Sequence, residues 1–205
     1  SWLYGYQQIT TEKHMAIAAI ENDGTIYTGN NFSDGKHVIN YASTSSDDKS
    51  VDIIKIKSGV NQGKILTVNN AVSKTNNIIL ARFKTTGALD TSFDSDGYKQ
   101  VYLGDKVKVS GLIELNSGDF IIYGTKTLNS ISYGIIAKLD HNTNIDKTFA
   151  TNGIYITESI PANSISLSQA SIDNLGNIVA IGQLESGSTK AFVIRLTPSG
   201  SIDTS

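Results

Sequence analysis

Four times along the chain a polar cluster closing on glycine gives way at once to an apolar run. The stretches are Asn22-Asp23-Gly24-Thr25-Ile26-Tyr27, Asn61-Gln62-Gly63-Lys64-Ile65-Leu66, Asn116-Ser117-Gly118-Asp119-Phe120-Ile121 and Asn174-Leu175-Gly176-Asn177-Ile178-Val179. Glycine in such a cluster supplies the positive φ of a tight turn, and the β-branched and aromatic residues after it favour extended chain, so each stretch reads as a hairpin turn entering a strand. The turn glycines lie 39, 55 and 58 residues apart. Further apolar runs bounded by turn residues predict strands at 164–172, 177–184, 190–196 and 98–103. A four-stranded antiparallel sheet recurring at this period predicts an all-β fold, a small β-propeller of about four blades, since each twisted sheet buries its faces against the next.

A second element recurs with the first. Gly87-Ala88-Leu89-Asp90-Thr91-Ser92-Phe93 runs on to Gly97-Tyr98-Lys99-Gln100-Val101, Thr143-Asn144-Ile145-Asp146-Lys147-Thr148-Phe149 runs on to Gly153-Ile154, and Gly200-Ser201-Ile202-Asp203 begins the pattern again. At the other terminus Gly5-Tyr6-Gln7-Gln8-Ile9 resembles Gly97 to Val101. The expectation is one domain over 1–205, with repeat units at about 10–51, 52–104, 105–159 and 160–205 plus 1–9. The N-terminal strand, with Trp2, Tyr4, Gly5, Tyr6 and Ile9, would then complete the last blade beside 190–196 or join a second molecule. The first unit is short, lacks the Asp-x-x-Phe element, and carries the polar link Ala42 to Lys49 in its place.

Composition narrows the partners. Charged residues are 18% of the chain, the formal net charge is −2 and the Lys and Arg are scattered, so no basic footprint for nucleic acid is present. No apolar run reaches the roughly 20 residues of a spanning helix. With no cysteine there are no disulfides, thiolate metal sites or Cys nucleophiles.

The residues Leu80-Ala81-Arg82-Phe83, Val193-Ile194-Arg195-Leu196 and Ile136-Ala137-Lys138-Leu139, each followed by Gly or Thr-x-Leu/Ile-Asp, resemble the delta-60 repeat (DUF5122-type) β-propeller family. The resemblance covers roughly 52–205 with the N-terminal strand and fails over 37–51. It implies a propeller fold and an exported or surface-associated bacterial protein, with no catalytic residues assigned.

Within the repeats a cation stands eight residues before an aspartate: Arg82 with Asp90, Lys138 with Asp146, Arg195 with Asp203. Recurrence at one position of the repeat favours a structural pair, the Asp capping its turn and the cation facing it, over a ring of cations that binds an anion. Trp2, Tyr4 and Tyr6 alternate and so share one strand face, where packing between blades is favoured over stacking on a sugar. Asp94-Ser95-Asp96-Gly97 lacks the flanking oxygen ligands of a calcium loop, and Gly59 to Lys64 is too short for a phosphate loop. His14, His37 and His141 show no metal-binding or triad spacing. The sequon Asn31-Phe32-Ser33 has meaning only in a eukaryotic secretory protein. The reading is a non-enzymatic binding or scaffolding module with no cofactor and no metal, whose partner is a protein or glycan at the channel mouth. The alternatives are a self-assembling subunit and a glycan-active propeller enzyme.

Overall fold

The computed structural model describes residues 2–9, 12–29, 32, 35–39, 49–70 and 78–204, with the backbone alone for 4–9, 12–15, 37, 39 and 49. Asn31 and Ser33 of the sequon, residues 42–48 of the polar link and Thr10 lie outside them. Among the described residues fourteen strands form four antiparallel sheets, and the chain divides into two compact units, 1–102 and 103–205, each holding two sheets. No helix among the described residues is long and apolar enough to cross a membrane.

In the first unit β1 (Trp2–Ile9), β2 (Glu12–Ala19) and β3 (His37–Ile39) make one sheet, in the order β1-β2-β3. β4 (Lys49–Lys55), β5 (Ile65–Asn70), β6 (Ile78–Phe83) and β7 (Tyr98–Val101) make the other in chain order. In the second unit β8 (Val107–Glu114), β9 (Phe120–Leu128), β10 (Ile131–Leu139) and β11 (Ile154–Ile156) form a four-stranded meander. β12 (Ser164–Ile172), β13 (Ile178–Glu185) and β14 (Thr189–Leu196) form a three-stranded one. The strands expected at 164–172, 177–184, 190–196 and 98–103 appear at these places, each within two residues of its expected ends.

The four hairpin turns are built as their sequence requires. Gly24, Gly63, Gly118 and Gly176 have φ of 87°, 85°, 84° and 82°, a region open to glycine and costly for residues with a Cβ. A sheet's first strand carries a bulge in three cases, between Ser50 and Asp52, between Val109 and Gly111, and between Leu167 and Gln169. A bulge adds local twist, and its recurrence at one place in the repeat gives these sheets a common shape.

Each unit has a core between its two sheets. In the first, Ile17 and Phe32 pack with Ile65, Ile79, Ala81 and Phe83. In the second, Ile121, Tyr123 and Ile136 on one sheet meet Ile165, Leu167, Ile178, Ala180, Ile194 and Leu196 on the next, with Phe149 beside them. Burying such a side chain contributes about 1.5–3 kcal/mol, so these faces, which the alternation of apolar residues set up, hold the pairs of sheets together.

Two features of the first sheet differ from the sequence expectation. β1 is not laid beside 190–196: it pairs with β2 along its whole length, from Trp2 opposite Ala19 to Ile9 opposite Glu12. Only two residues separate the paired Ile9 and Glu12, so this hairpin closes at small entropic cost, whereas the pattern Gly-Tyr-x-Gln suits any edge strand and does not choose its neighbour. The strand expected after Gly24 is also cut short. The turn forms, with Glu21 N–H donating to Thr25 at 2.8 Å and a bridge between Ile20 and Ile26, but the ladder stops there. β3 then pairs directly with β2.

Candidate functional site

The recurrent cation and aspartate meet in all three repeats. Arg82 Nε lies 2.7 Å from Asp90 Oδ2, Lys138 Nζ 2.9 Å from Asp146 Oδ2, and Arg195 Nε 2.7 Å from Asp203 Oδ2. The backbone brings them together, since Asp90, Asp146 and Asp203 N–H donate to the carbonyls of Arg82, Lys138 and Arg195. The second carboxylate oxygen caps the turn that follows. Asp90 Oδ1 accepts Ser92 Oγ–H at 2.7 Å, and Asp146 Oδ1 accepts Thr148 Oγ1–H at 2.6 Å and Thr148 N–H at 3.0 Å.

Two further charges, not evident from the sequence spacing, sit on the residue after the hairpin glycine. Lys64 Nζ reaches Asp90 Oδ2 at 2.7 Å, and Asp119 Oδ2 lies 3.3 Å from Lys138 Nζ. Two cations thus meet one carboxylate at Asp90, two carboxylates meet one cation at Lys138, and Arg195 balances Asp203. The three sites share a geometry and not a sign, which removes the basis for a common anion-binding ring. Burial opposes ionisation of Asp90, but hydrogen bonds from Lys64, Ser92 and Arg82 outweigh it and hold the carboxyl well below the usual range. The Thr148 hydroxyl and Lys138 draw Asp146 down to about 2.

The remaining sequence candidates take modest places. Asp96 Oδ1 accepts Tyr98 N–H at 2.9 Å, a turn contact that leads into β7. Gly59–Asn61 is a short 3-10 turn. His141 is exposed, and its ring lies 3.0 Å from the Asn142 amide. His14 and His37 lie in β2 and β3. Tyr4, Gly5, Tyr6 and Ile9 follow Trp2 along β1. No group of three or more His, Asp or Glu is arranged to hold a metal ion among the described residues.

A different constellation emerges between the two sheets of the first unit. Trp2, Tyr27 and Phe32 line a cavity of about 470 Å³ whose rim carries Glu21, Asn22, Thr85 and Thr86. Phe32 is fully buried, with its ring centroid 5.7 Å from those of Trp2, tilted at 51°, and Tyr27, edge-on at 72°. Trp2 therefore does pack between sheets, as the sequence favoured, while also forming part of the cavity wall.

A counterpart of about 280 Å³ occupies the same place in the second unit, between the hairpin turn at Leu115 and Asn116 and the turn at Pro198. Asn22 and Asn116 hold one position in the repeat, Thr85 and Pro198 another. Such a hollow is thus a product of stacking two of these sheets. In the first unit it is larger and aromatic, because the strand after Gly24 ends early and Tyr27 and Phe32 turn into the space. The signal in the sequence was Phe32 itself, a lone large apolar residue within a polar stretch.

No curated protein matches this chain. Residues 63–93 and 176–205 match the family model described as Domain of unknown function (DUF5122) beta-propeller. Both matched stretches start at a hairpin glycine and run through the cation-to-aspartate turn, the two elements whose geometry repeats, and over these stretches the chain is similar to the DUF5122 β-propeller family.

Proposed function

We propose that this chain is a non-catalytic binding module of an exported or surface protein, each of its four sheets serving as one propeller blade, and that the cavity beside Trp2 takes a glycan. The observation that carries this reading is the departure of the first unit from its own repeat: the hollow that stays small beside Pro198 is widened and lined with three aromatic rings. A pyranose presents a C–H face suited to an aromatic wall and a rim of hydroxyls. Glu21, Asn22, Thr85 and Thr86 line the same cavity and offer acceptors and donors suited to such hydroxyls. The recurrent Asp residues are engaged in turn capping and ion pairs, a structural use that leaves them little scope as general acids or bases.

Trp2 is the only tryptophan in the chain, so its emission reports on the cavity without interference. The test is a glycan array with the labelled protein, followed by fluorescence titration of the best ligand. Trp2→Ala and the exposed-rim variant Glu21→Gln should each weaken binding about tenfold, equivalent to about 1.4 kcal/mol. Glu21→Gln should leave the melting temperature unchanged. A glycan that binds without changing Trp2 emission and with full affinity for Glu21→Gln would place the ligand elsewhere and sink the assignment.

A further inference from the structure

Glu21 holds the position in its hairpin that Asp173 holds in the hairpin between β12 and β13. Glu21 N–H donates to the Thr25 carbonyl at 2.8 Å and Gly24 N–H to that of Glu21, just as Asp173 N–H donates to Asn177 at 3.0 Å and Gly176 N–H to Asp173. The two carboxylates are nonetheless used differently. Asp173 turns back on its own hairpin: Oδ1 accepts Leu175 N–H and Asn177 N–H, each at 2.9 Å, and Oδ2 accepts the Asn177 side-chain amide at 3.0 Å. In the first hairpin that cap falls to Asp23, whose Oδ1 accepts Thr25 N–H at 2.9 Å and Thr25 Oγ1–H at 2.7 Å. Glu21 makes its hydrogen bonds through its backbone, and no hydrogen bond or ion pair among the described residues engages its carboxylate. A turn acid relieved of capping keeps its full capacity as an acceptor.

This carboxylate belongs to the lining of the cavity beside Trp2. Leu115 takes the same place in the hairpin between β8 and β9 and in the wall of the second-unit hollow, where it packs against the core. That hollow also holds Asp119 and Lys138, 3.3 Å apart, so opposite charges meet within its wall. In the first unit Glu21 is the one charged side chain among the described residues that line the cavity, and no cation faces it there. The other walls include the rings of Trp2, Tyr27 and Phe32, whose faces carry negative potential. A carboxylate without a partner beside three aromatic rings is a lining that attracts a cation, and the chain supplies none.

We infer that the sugar taken by this cavity is an amino sugar whose amine is free and protonated, its ammonium held by the Glu21 carboxylate against the aromatic wall. The inference rests on the glycan reading of the cavity and narrows it to one chemical class. Acetylation removes the charge that the carboxylate and the rings both recognise, so the N-acetyl form of the same sugar is the disfavoured ligand. A neutral sugar keeps the ring stacking and loses the ion pair.

Titration of Trp2 emission with soluble oligomers of glucosamine, N-acetylglucosamine and glucose, matched in length, is the test. It is run at about pH 6, where a free amine is protonated. The glucosamine oligomer should bind about tenfold more tightly than either of the others, and added salt should shrink that advantage. Glu21→Gln should bring the three affinities together, and Glu21→Lys should place the glucosamine oligomer last. Residue 21 is exposed, so both variants should keep the wild-type melting temperature; should either lose it, the ligand series and its salt dependence in the wild type decide. A general attraction of the cationic oligomer to a chain of net charge −2 would survive Glu21→Gln, and that result overturns the inference. Equal affinity for the N-acetylated or the neutral oligomer overturns it too and leaves the glycan reading standing. So does failure of all three oligomers while the glycan array yields another ligand, whereas failure on the array as well removes both.

Discussion

Arg82 is held on two sides by residues of a single turn: Asp90 Oδ2 lies 2.7 Å from its Nε, and the Phe93 ring lies beneath its guanidinium carbon at 4.6 Å. The spacing Asp-x-x-Phe thereby acquires a physical reason. The carboxylate offers a charged hydrogen bond in the plane of the guanidinium and the ring offers its negative face, so one side chain fastens β6 to the turn that delivers β7.

Burial decides how much each copy of this pair matters. Arg82 and Asp90 are buried, whereas Arg195 is exposed enough to be well solvated. Removing one partner of a buried pair leaves the other charge stranded, at a cost of about 3–5 kcal/mol. Deleting Asp203, itself mostly covered, leaves an Arg195 side chain that water still reaches, so the cost falls below that and toward about 0.2–1 kcal/mol, the range of an exposed pair. Asp90→Ala should therefore lower the urea midpoint far more than Asp203→Ala. Equal shifts would show that the turn cap, common to the motif, matters more than the ion pair.

Acid stability follows from the same carboxylates. Asp90 and Asp146 are depressed in the folded chain, Asp146 to about 2, while an unfolded aspartate titrates near 3.9. The folded state thus binds fewer protons, so the contribution is fully present above the unfolded value and is lost as pH falls from about 4 toward 2. The melting temperature should be level above about pH 5 and drop steeply below pH 4. Asp146→Asn should be less stable than wild type at neutral pH and should show a shallower acid slope. A variant profile parallel to wild type would exclude Asp146 as a source of that slope.

Thr143 carries a strain that its counterparts avoid. It sits at φ of 62°, where the equivalent Gly87 and Gly200 have 81° and 87°. A β-branched residue in that region costs roughly 1–2 kcal/mol, and glycine returns about 0.5–1 kcal/mol through its greater freedom when unfolded. Thr143→Gly should raise stability by roughly 0.5–1 kcal/mol, read as a higher urea midpoint. A lower midpoint would mean that the Thr143 hydroxyl, 2.6 Å from the Asn142 carbonyl, outweighs the strain.

The hairpin glycines and the Asp-x-x-Phe turns act through local backbone geometry, and local geometry is written in neighbouring residues, so Gly63, Gly118, Asp90 and Asp146 stand where their spacing put them. The partner of β1 was not legible. Gly5 to Ile9 and Gly97 to Val101 carry the same edge-strand pattern, and what separates them is the short closure from Ile9 to Glu12, a topological and not a compositional property. The cavity was hidden for a related reason. Tyr27 and Phe32 come together where the strand after Gly24 is cut short, and β3, further along the chain, takes the edge of β2 opposite Met15 to Ile17.

The bulge on β8 leads to a last prediction. Between Val109 and Gly111 the register of β8 against β9 slips by one, and the backbone of Lys108 and Val109 swings over Gly124. A Cβ on Gly124 would meet the Lys108 carbonyl and lie 2.7 Å from the Val109 Cα, so backbone rather than a flexible side chain must move. Gly124 does not have a positive φ, which means that space and not dihedral preference demands glycine here. Gly124→Ala should cost about 1–3 kcal/mol, the range for overpacking a close-packed interior. Gly24→Ala, which meets no atom within 4 Å but must hold φ at 87°, tests the opposite cause. Its cost of roughly 1–2 kcal/mol should be largely recovered in Gly24→Asn, since Asn tolerates that region, whereas Gly124→Asn should be worse than Gly124→Ala. Urea midpoints of the four variants separate the two causes, and recovery by Asn at position 124 would refute the steric account of the bulge.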